Sequence, residues 1–567
     1  MTDRFPGHFV VPFLLLTLLY CSCVSPGHED QEVGSKPNPY DNGRSNSFAL
    51  AKVTGTTLLT NITEIGIFNT AGRVTCLLID KADSNHLIAG AATGGLWSSS
   101  NRGITWSPVD DHLPTLNIRS LSQNPFQTNI IYASTYTSMM SGPSLNTPRP
   151  DIYKSTDGGQ TFQLIPAAAG SFTLVGRVVC SPIDQNTVFA TSDQNSARGV
   201  YRSQDNGQSF TLVLSLTNTV DDLEVLPDGS VLVSSGTDIY RSPGGNPGSF
   251  SLSVTGLTGP NTFMRMELAY CEGQPNNVYG VTTGGNSGVA VFRSVNGGQS
   301  WSFLQSLNSG IFTRAIGIKP NDPNYLFAGS VGLYLTKNAG ASFDYYPVGG
   351  VDYWSVNFDP HNPDKVFITF DQGVVEVGLN PFNPDPYTAF KKRDSLFNCA
   401  QIYAGDFRWS GDKVLVGMQD LGTHQAFSGG TSNVLGNDGG YCFYHKQDST
   451  KAYVSYQNGR IFKKSNLHIP FPQPGFQQPV SILNQLDMNN DNNIDEGYFF
   501  IHPFWVNNAD GEQIYLPTKK RLWRSVDGAL TGKLYPVIMM FSFPILQWMV
   551  IIRTTPSYTG PFQTRFG

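Results

Sequence analysis

The sequence predicts an all-β protein, a β-propeller of about ten four-stranded blades, and three observations carry that expectation. Charged residues make up 14% of the 567-residue chain, well below the roughly 25% of an average soluble protein. Glycine (58 residues) and aromatic side chains (12%) are abundant, which suits short strands joined by tight turns better than solvated helices. A turn motif also recurs along most of the chain. This composition argues against a coiled coil, a disordered acidic chain and a helical bundle. With a net charge of -6 the chain also lacks the basic excess of a nucleic-acid binder.

The first element is a targeting segment. Arg4 precedes an apolar run over residues 9–20, too short to cross a bilayer core of ~30 Å, and Cys21-Ser22-Cys23 follows. Residues 1–23 read as a signal peptide, with Cys23 placed like the lipid-modified cysteine of bacterial lipoproteins. Residues 24–45 (Pro, Gly, Glu, Asp, Ser, Asn) form a polar tether, and residues 46–567 the propeller. The expected location is secreted or cell surface, as an outer-membrane lipoprotein that meets the membrane only through its lipid.

The recurring turn decides the fold. Its first copy is Ser99, Asn101, Gly103, Thr105 and Trp106; its second is Ser155, Asp157, Gly159, Thr161 and Phe162. Further copies open at Ser203, Ser294 and Thr336, with worn ones at Ser242 and Ser525. Starts at 99, 155, 203, 242, 294 and 336 lie about 47 residues apart, so four more units fit between 336 and 525. Within a unit, an apolar run ends in Pro or Asp (Val356 to Pro360), and a second carries an aromatic (Lys365 to Thr369). A third strand enters the turn and a fourth leaves it (Gln163 to Ile165). Four short strands in each 40–50 residues is the pattern of a propeller blade. One ring of ten blades and two smaller rings in tandem both fit.

The turn has its own chemistry. A short Asp or Asn side chain accepts hydrogen bonds from its own backbone, glycine supplies φ > 0, and the closing aromatic packs between sheets. Cys76, Cys180 and Cys271 sit on apolar runs that open repeats, and with Cys399 and Cys442 they make an odd, unspaced set. Small core residues explain them better than a disulfide framework or a zinc site.

These turns resemble the Asp-box (bacterial neuraminidase repeat) of sialidases, xyloglucanases and sortilin-type receptors. Gly94-Gly-Leu96-Trp97, the run from Asn124 to Ala133, and the loops Gln419-Asp420-Leu-Gly422-Thr423 and Gly436-Asn437-Asp438-Gly-Gly440 are similar to sortilin/xyloglucanase-like bacterial surface proteins. The resemblance spans residues 70–530 and implies that Asp157, Asp205 and their equivalents are structural residues of outer hairpins.

Chemistry is less legible. Zinc-protease, nucleophile-elbow, phosphate-loop and dinucleotide motifs are missing. The early Arg-Ile-Pro of sialidases is also missing, and Arg73 and Arg119 read as blade-edge contacts. Xyloglucanases carry an early Thr-Asp-x-Gly-Gly; the nearest match, Ala92-Thr93-Gly94-Gly95, has no aspartate. The remaining carboxylate pair is Asp420 and Asp438, catalytic if the chain is a glycoside hydrolase and turn-capping if it is not. Gln419, His424 and Asn437 would line the same loops as ligand-binding groups. A second constellation, Asp487, Asn489, Asp491 and Asp495, resembles a calcium loop without its closing glutamate, because Tyr498 stands there. Tyr353, Trp354, Trp409, Tyr441, Tyr444, Trp505 and Trp523 read mainly as blade packing, with stacking on a sugar the alternative. Residues 534–552 are mostly apolar, but Pro536, Pro544 and Gln547 favour two strands opening another blade over a membrane span. The chain would then stop in mid-blade, its half-sheet pairing with N-terminal strands or belonging to a longer protein.

The expected function is a monomeric scaffold that binds a polysaccharide or an extracellular protein, without a cofactor apart from the candidate calcium. The alternative is a xyloglucanase-like glycoside hydrolase using paired aspartates.

Overall fold

A computed structural model describes residues 71–110, 113, 115–135, 152–165, 175–193, 197–258, 265–283, 288–310, 312–379, 390–427, 430–467, 480–481, 497–528 and 535–539. Among these residues there is no helix, and therefore no helix long and apolar enough to cross a membrane. The strands form ten four-stranded antiparallel sheets, each a meander in which strand order follows chain order. We number them blades 1 to 10: residues 74–108, 118–164, 178–215, 222–252, 265–307, 315–345, 353–392, 402–435, 442–481 and 505–539.

Burial explains the sequence pattern within a blade. In blade 1, Val74–Ile79 and Leu87–Ala91 are almost wholly buried, whereas the fourth strand, Ser107–Pro108, is exposed. Blades 2, 4 and 6 likewise end in a two-residue exposed strand. The apolar runs are inner strands covered on both faces by neighbouring blades, which is why they do not alternate with polar residues. First strands of successive blades lie side by side and line an axis.

The ring closes after seven blades. The first strand of blade 1 packs against the first two of blade 7, and Ala71, Val74, Trp97 and Trp106 share one core with Phe367, Val374 and Phe397. Trp106 donates its indole N–H to Arg393 O at 2.7 Å. Arg102 pairs across the seam with Asp359 at 2.6 Å and Glu376 at 2.8 Å. Seven blades with this much shared core leave no gap at the seam for more, so a single ten-bladed ring is not what forms. Blades 8, 9 and 10 follow as a separate run. Blade 8 packs on blade 9 through Leu415, Val434, Cys442 and Tyr444, and blade 9 on blade 10 through Tyr453, Ile461, Phe504 and Leu516.

The repeat arithmetic holds: the turn at 336 belongs to the sixth blade and the turn at 525 to the tenth, four units later. The box is the hairpin between third and fourth strands. In blade 2, Ser155 Oγ donates to Asp157 Oδ1 at 2.7 Å, and Gly159 and Thr161 donate their N–H groups to Ser155 Oγ and Asp157 Oδ1 at 2.8 and 3.0 Å. Gly159 has φ +89, which only glycine adopts freely. Each closing aromatic packs on the preceding blade: Phe162 joins the blade 1 core and Trp301 the blade 4 core. Cys76, Cys180, Cys271, Cys399 and Cys442 are all free and buried.

One expectation is corrected. Tyr535–Met539 does not open a new blade; it pairs with Arg521–Ser525 and completes the sheet of blade 10. The worn turn still works as a hairpin, Ser525 Oγ donating to Asp527 Oδ1 at 2.9 Å, so the chain leaving it returns as a fourth strand. The rest of the apolar stretch, Cys23, the tether and the calcium-like loop from Asp487 to Asp495 lie outside the described residues.

Candidate functional site

First strands of the ring start at one mouth, and three of them, together with the first strand of blade 8, carry an irregularity at that end. The register slips between Val74 and Cys76, Ile118 and Ser120, Tyr353 and Ser355, and Ile402 and Ala404. The slipped residues are Thr75, Arg119, Trp354 and Tyr403. A bulge re-aims a side chain out of the pleat, and such bulges gather beside functional sites.

The turns between second and third strands supply the rest. Asp371 follows the second strand of blade 7 and Asp420 that of blade 8. Asp371 is fully buried and saturated: Arg73 Nε donates at 2.7 Å, Arg73 Nη2 closes a two-pronged ion pair, and the Trp354 indole donates at 2.6 Å. Arg73 also lies over the Trp354 and Phe312 rings at 5.3 Å. Gln372 Nε2 donates to Asp420 O at 3.1 Å, which ties blade 7 to blade 8.

The paired loops foreseen in the sequence do meet. Asp420 N–H donates to Asp438 Oδ1 at 3.0 Å, and Asp438 N–H donates to Gln457 Oε1 at 3.1 Å. Gly439 is required by this contact, since a Cβ there would sit 2.1 Å from Gly422 O. Asp438 therefore spans the two loops. Gln419 is buried, its Nε2 3.5 Å from Asp371 Oδ2. Asn437 is exposed at the loop tip. His424 turns away, with Nε2 2.9 Å from Leu421 O, and bonds neither aspartate. Burial lowers its proton affinity, so the ring is neutral at pH 7.

Asp420 is the carboxyl left free. Its Oδ2 is buried with no hydrogen-bond partner, 3.9 Å from Arg73 Nη2. Burial first, then the neighbouring Asp371 carboxyl, push this carboxyl up to about 9, so it holds its proton at neutral pH. Asp352 joins them: one oxygen each of Asp352, Asp371 and Asp420 lies within 4.8 Å of the others. Burial, then the charge of Asp371, push Asp352 up to about 7. Such a trio could hold a cation, but the Arg73 guanidinium already neutralises Asp371. Asp352, Asp420 and Asn437 have φ of +61, +55 and +64, a conformation that concentrates where function constrains the backbone.

Sequence reasoning missed Asp352 and Asp371, and named Trp354 only among aromatics read mainly as blade packing. A signal existed: aligning the turns between second and third strands, instead of the box turns, puts Asp193, Asp371 and Asp420 near one position.

Solved structures with similar folds include the GH74 xyloglucanase of Xanthomonas campestris, with TM-score 0.53 and 13% identity over 84% of this chain and 80% of that one. An ancestral GH74 enzyme matches with TM-score 0.54 and 14% identity over 83% and 69% of the two chains. The GH74 enzyme of Niastella koreensis matches with TM-score 0.51 and 13% identity over 83% and 79%. This chain is a β-propeller protein. At such identities the likeness carries the fold alone. No family model and no curated protein matches the sequence.

Proposed function

We propose that this β-propeller is an exported glycan-binding protein whose ligand sits where blades 1, 7 and 8 meet. The observation that carries the reading is the set of Asp352, Asp371 and Asp420 beside Arg73, with oxygens within 4.8 Å of each other: Arg73 and Trp354 hold Asp371, while Asp420 Oδ2 has no internal donor. Protonated carboxyl, carboxylate and aromatic groups together suit the hydroxyls and faces of a sugar. The same closeness disfavours inverting hydrolysis, which needs carboxyl groups about 6.5–9.5 Å apart to admit water. A second reading, glycoside hydrolysis, is favoured by one feature: Asp420 stays protonated at neutral pH, as a general acid must. Its fold neighbours include an enzyme named for xyloglucan.

A glycan array run beside reducing-sugar release from xyloglucan separates the two. Binding without release, weakened in Asp420→Asn, supports the scaffold. Release that is abolished in Asp420→Asn or Asp438→Asn overturns it in favour of the hydrolase. Export and lipidation are tested by Cys23→Ser, which on this reading moves the protein from membrane to soluble fractions.

A further inference from the structure

Five of the seven inner strands of the closed ring place an arginine at their start. Arg73 precedes Val74, Arg119 is second in Ile118–Gln123, Arg177 precedes Val178, Arg265 opens Arg265–Cys271, and Arg314 precedes Ala315. Like charges gathered at one axis repel, so each calls for a partner. Arg73 has Asp371. Arg177 has Asp222, with Glu224 and Glu267 each at 3.4 Å.

Arg119 has none, and Arg314 has only Glu267, which Arg177 also approaches. Among the described residues neither guanidinium makes a hydrogen bond. The Arg314 side chain is 8% exposed, its Nε is buried without a partner, and its nearest acid, Glu267 Oε2, stands at 3.6 Å. Arg119 is half-buried and lies over the face of Trp354, 5.7 Å from the ring centre. Burial lowers its proton affinity, Glu267 opposes that, and Arg314 and Arg177 add to the lowering, so these groups share one space. The acids that blades 3 and 4 bring to the mouth are engaged. Asp193 and Asp221 accept from the N–H groups of Val220 and Gly236, both at 2.7 Å, and Asp222 accepts from Leu223 and Leu268 besides Arg177. Next to Arg314, the fully buried Thr313 hydroxyl also lacks a partner.

Two guanidinium forks, each with five donors, therefore face a mouth whose described residues give them no hydrogen bond and, as counter-charge, only Glu267, which is shared with Arg177. We propose that the axial mouth of the seven-bladed ring binds a carboxylate, free or carried by an acidic sugar, between Arg119 and Arg314. A planar carboxylate matches the guanidinium fork, and a single negative charge suits a mouth already lined by Asp222, Glu224 and Glu267 better than a dianion. The proposal does not need the glycan-binding reading, because acetate alone is a sufficient probe.

The experiment is thermal unfolding of the full chain at constant ionic strength with acetate, glucuronate, glucose or chloride. Acetate and glucuronate are expected to raise the midpoint saturably, and glucose and chloride to leave it unchanged. Arg119→Gln and Arg314→Gln should each weaken the apparent affinity by roughly tenfold or more. Arg119→Lys, which keeps the charge but not the fork, should show a smaller loss, and the exposed Lys391→Gln none. Glucuronate acting at lower concentration than acetate assigns the site to an acidic sugar; equal potency assigns it to a free carboxylate. No carboxylate-specific shift, or one that survives in the arginine variants, overturns the proposal. Where a glutamine variant fails to fold, the lysine variant carries the test.

Discussion

Blades 1 and 8 are built from the same four-strand meander but end in different surroundings. Blade 1 is covered on both faces, by blade 2 and, across the seam, by blade 7, and its Trp97 is 7% exposed. Blade 8 buries one face on blade 9 and leaves Ile402, Phe407 and Trp409 at 54, 52 and 91% exposure. A blade is thus not a stable unit in itself. Its sheet presents two apolar faces, and neighbours decide how much of them is removed from water. The seven-bladed ring solves this by closure, which joins its first blade to its last.

The sharpest way to break this comparison is at the seam. Trp106 is 3% exposed, stacks near Phe397 with ring centres 4.9 Å apart, and bonds Arg393 O. Trp106→Ala should cost about 4 kcal/mol in urea unfolding, because a large cavity opens where blade 1 meets blade 7. A cost near zero would mean the ring is not closed there.

The next effect comes from the pair that joins the ring to the candidate site. Arg73→Met strands the buried Asp371 carboxylate and should destabilise by about 3 kcal/mol, whereas Arg73→Met with Asp371→Leu should recover most of the loss. A double variant as unstable as the single one would show that the Trp354 and Gln419 contacts, not the ion pair, hold the turn.

The same cluster predicts a pH dependence. Asp352 is raised to about 7, so the folded chain holds a proton that the unfolded chain gives up near pH 4. Its contribution therefore falls as pH rises from about 4 to about 7 and is flat above that. Asp352→Asn should add about 1–2 kcal/mol at pH 8 and nothing at pH 4, the gain being limited because the side chain is only half-buried. Equal effects at both pH values would reject the assigned protonation.

What was readable beforehand follows from distance along the chain. The box turn of blade 2 lies between Ser155 and Phe162, all its hydrogen bonds are local, and its role was read correctly. The loops of Asp420 and Asp438 were legible because glycine-rich turns stand out from the repeat, and they do touch. The seam was not legible, because Trp106 and Arg393 are 287 residues apart and nothing in the repeat marks where a ring ends. Asp371 was missed for the same reason: its partner Arg73 lies 298 residues away. Blade count is local information, and ring size is not.

Two smaller effects complete the contrast. Asp157 is exposed, yet although its partial burial pulls the other way, hydrogen bonds from Thr161 and Ser155 hold it down at about 2. Asp157→Ala should cost about 1 kcal/mol at pH 7, as loss of a comparable capping side chain does. That cost should fade only as pH drops through the range from about 4 to about 2, the reverse of the Asp352 profile.

The smallest effect belongs to Trp409, the same residue type as Trp106 at the opposite extreme of burial. If exposure alone governs, Trp409→Ala changes stability by no more than about 0.5 kcal/mol. Its fluorescence in the parent protein should be fully open to iodide quenching, whereas that of Trp106 should not be. A protected Trp409, or a loss of several kcal/mol on its removal, would mean that something covers this face of blade 8 in solution. The contrast between a closed ring and an open run of blades would then describe the resolved sheets but not the protein as it stands in water.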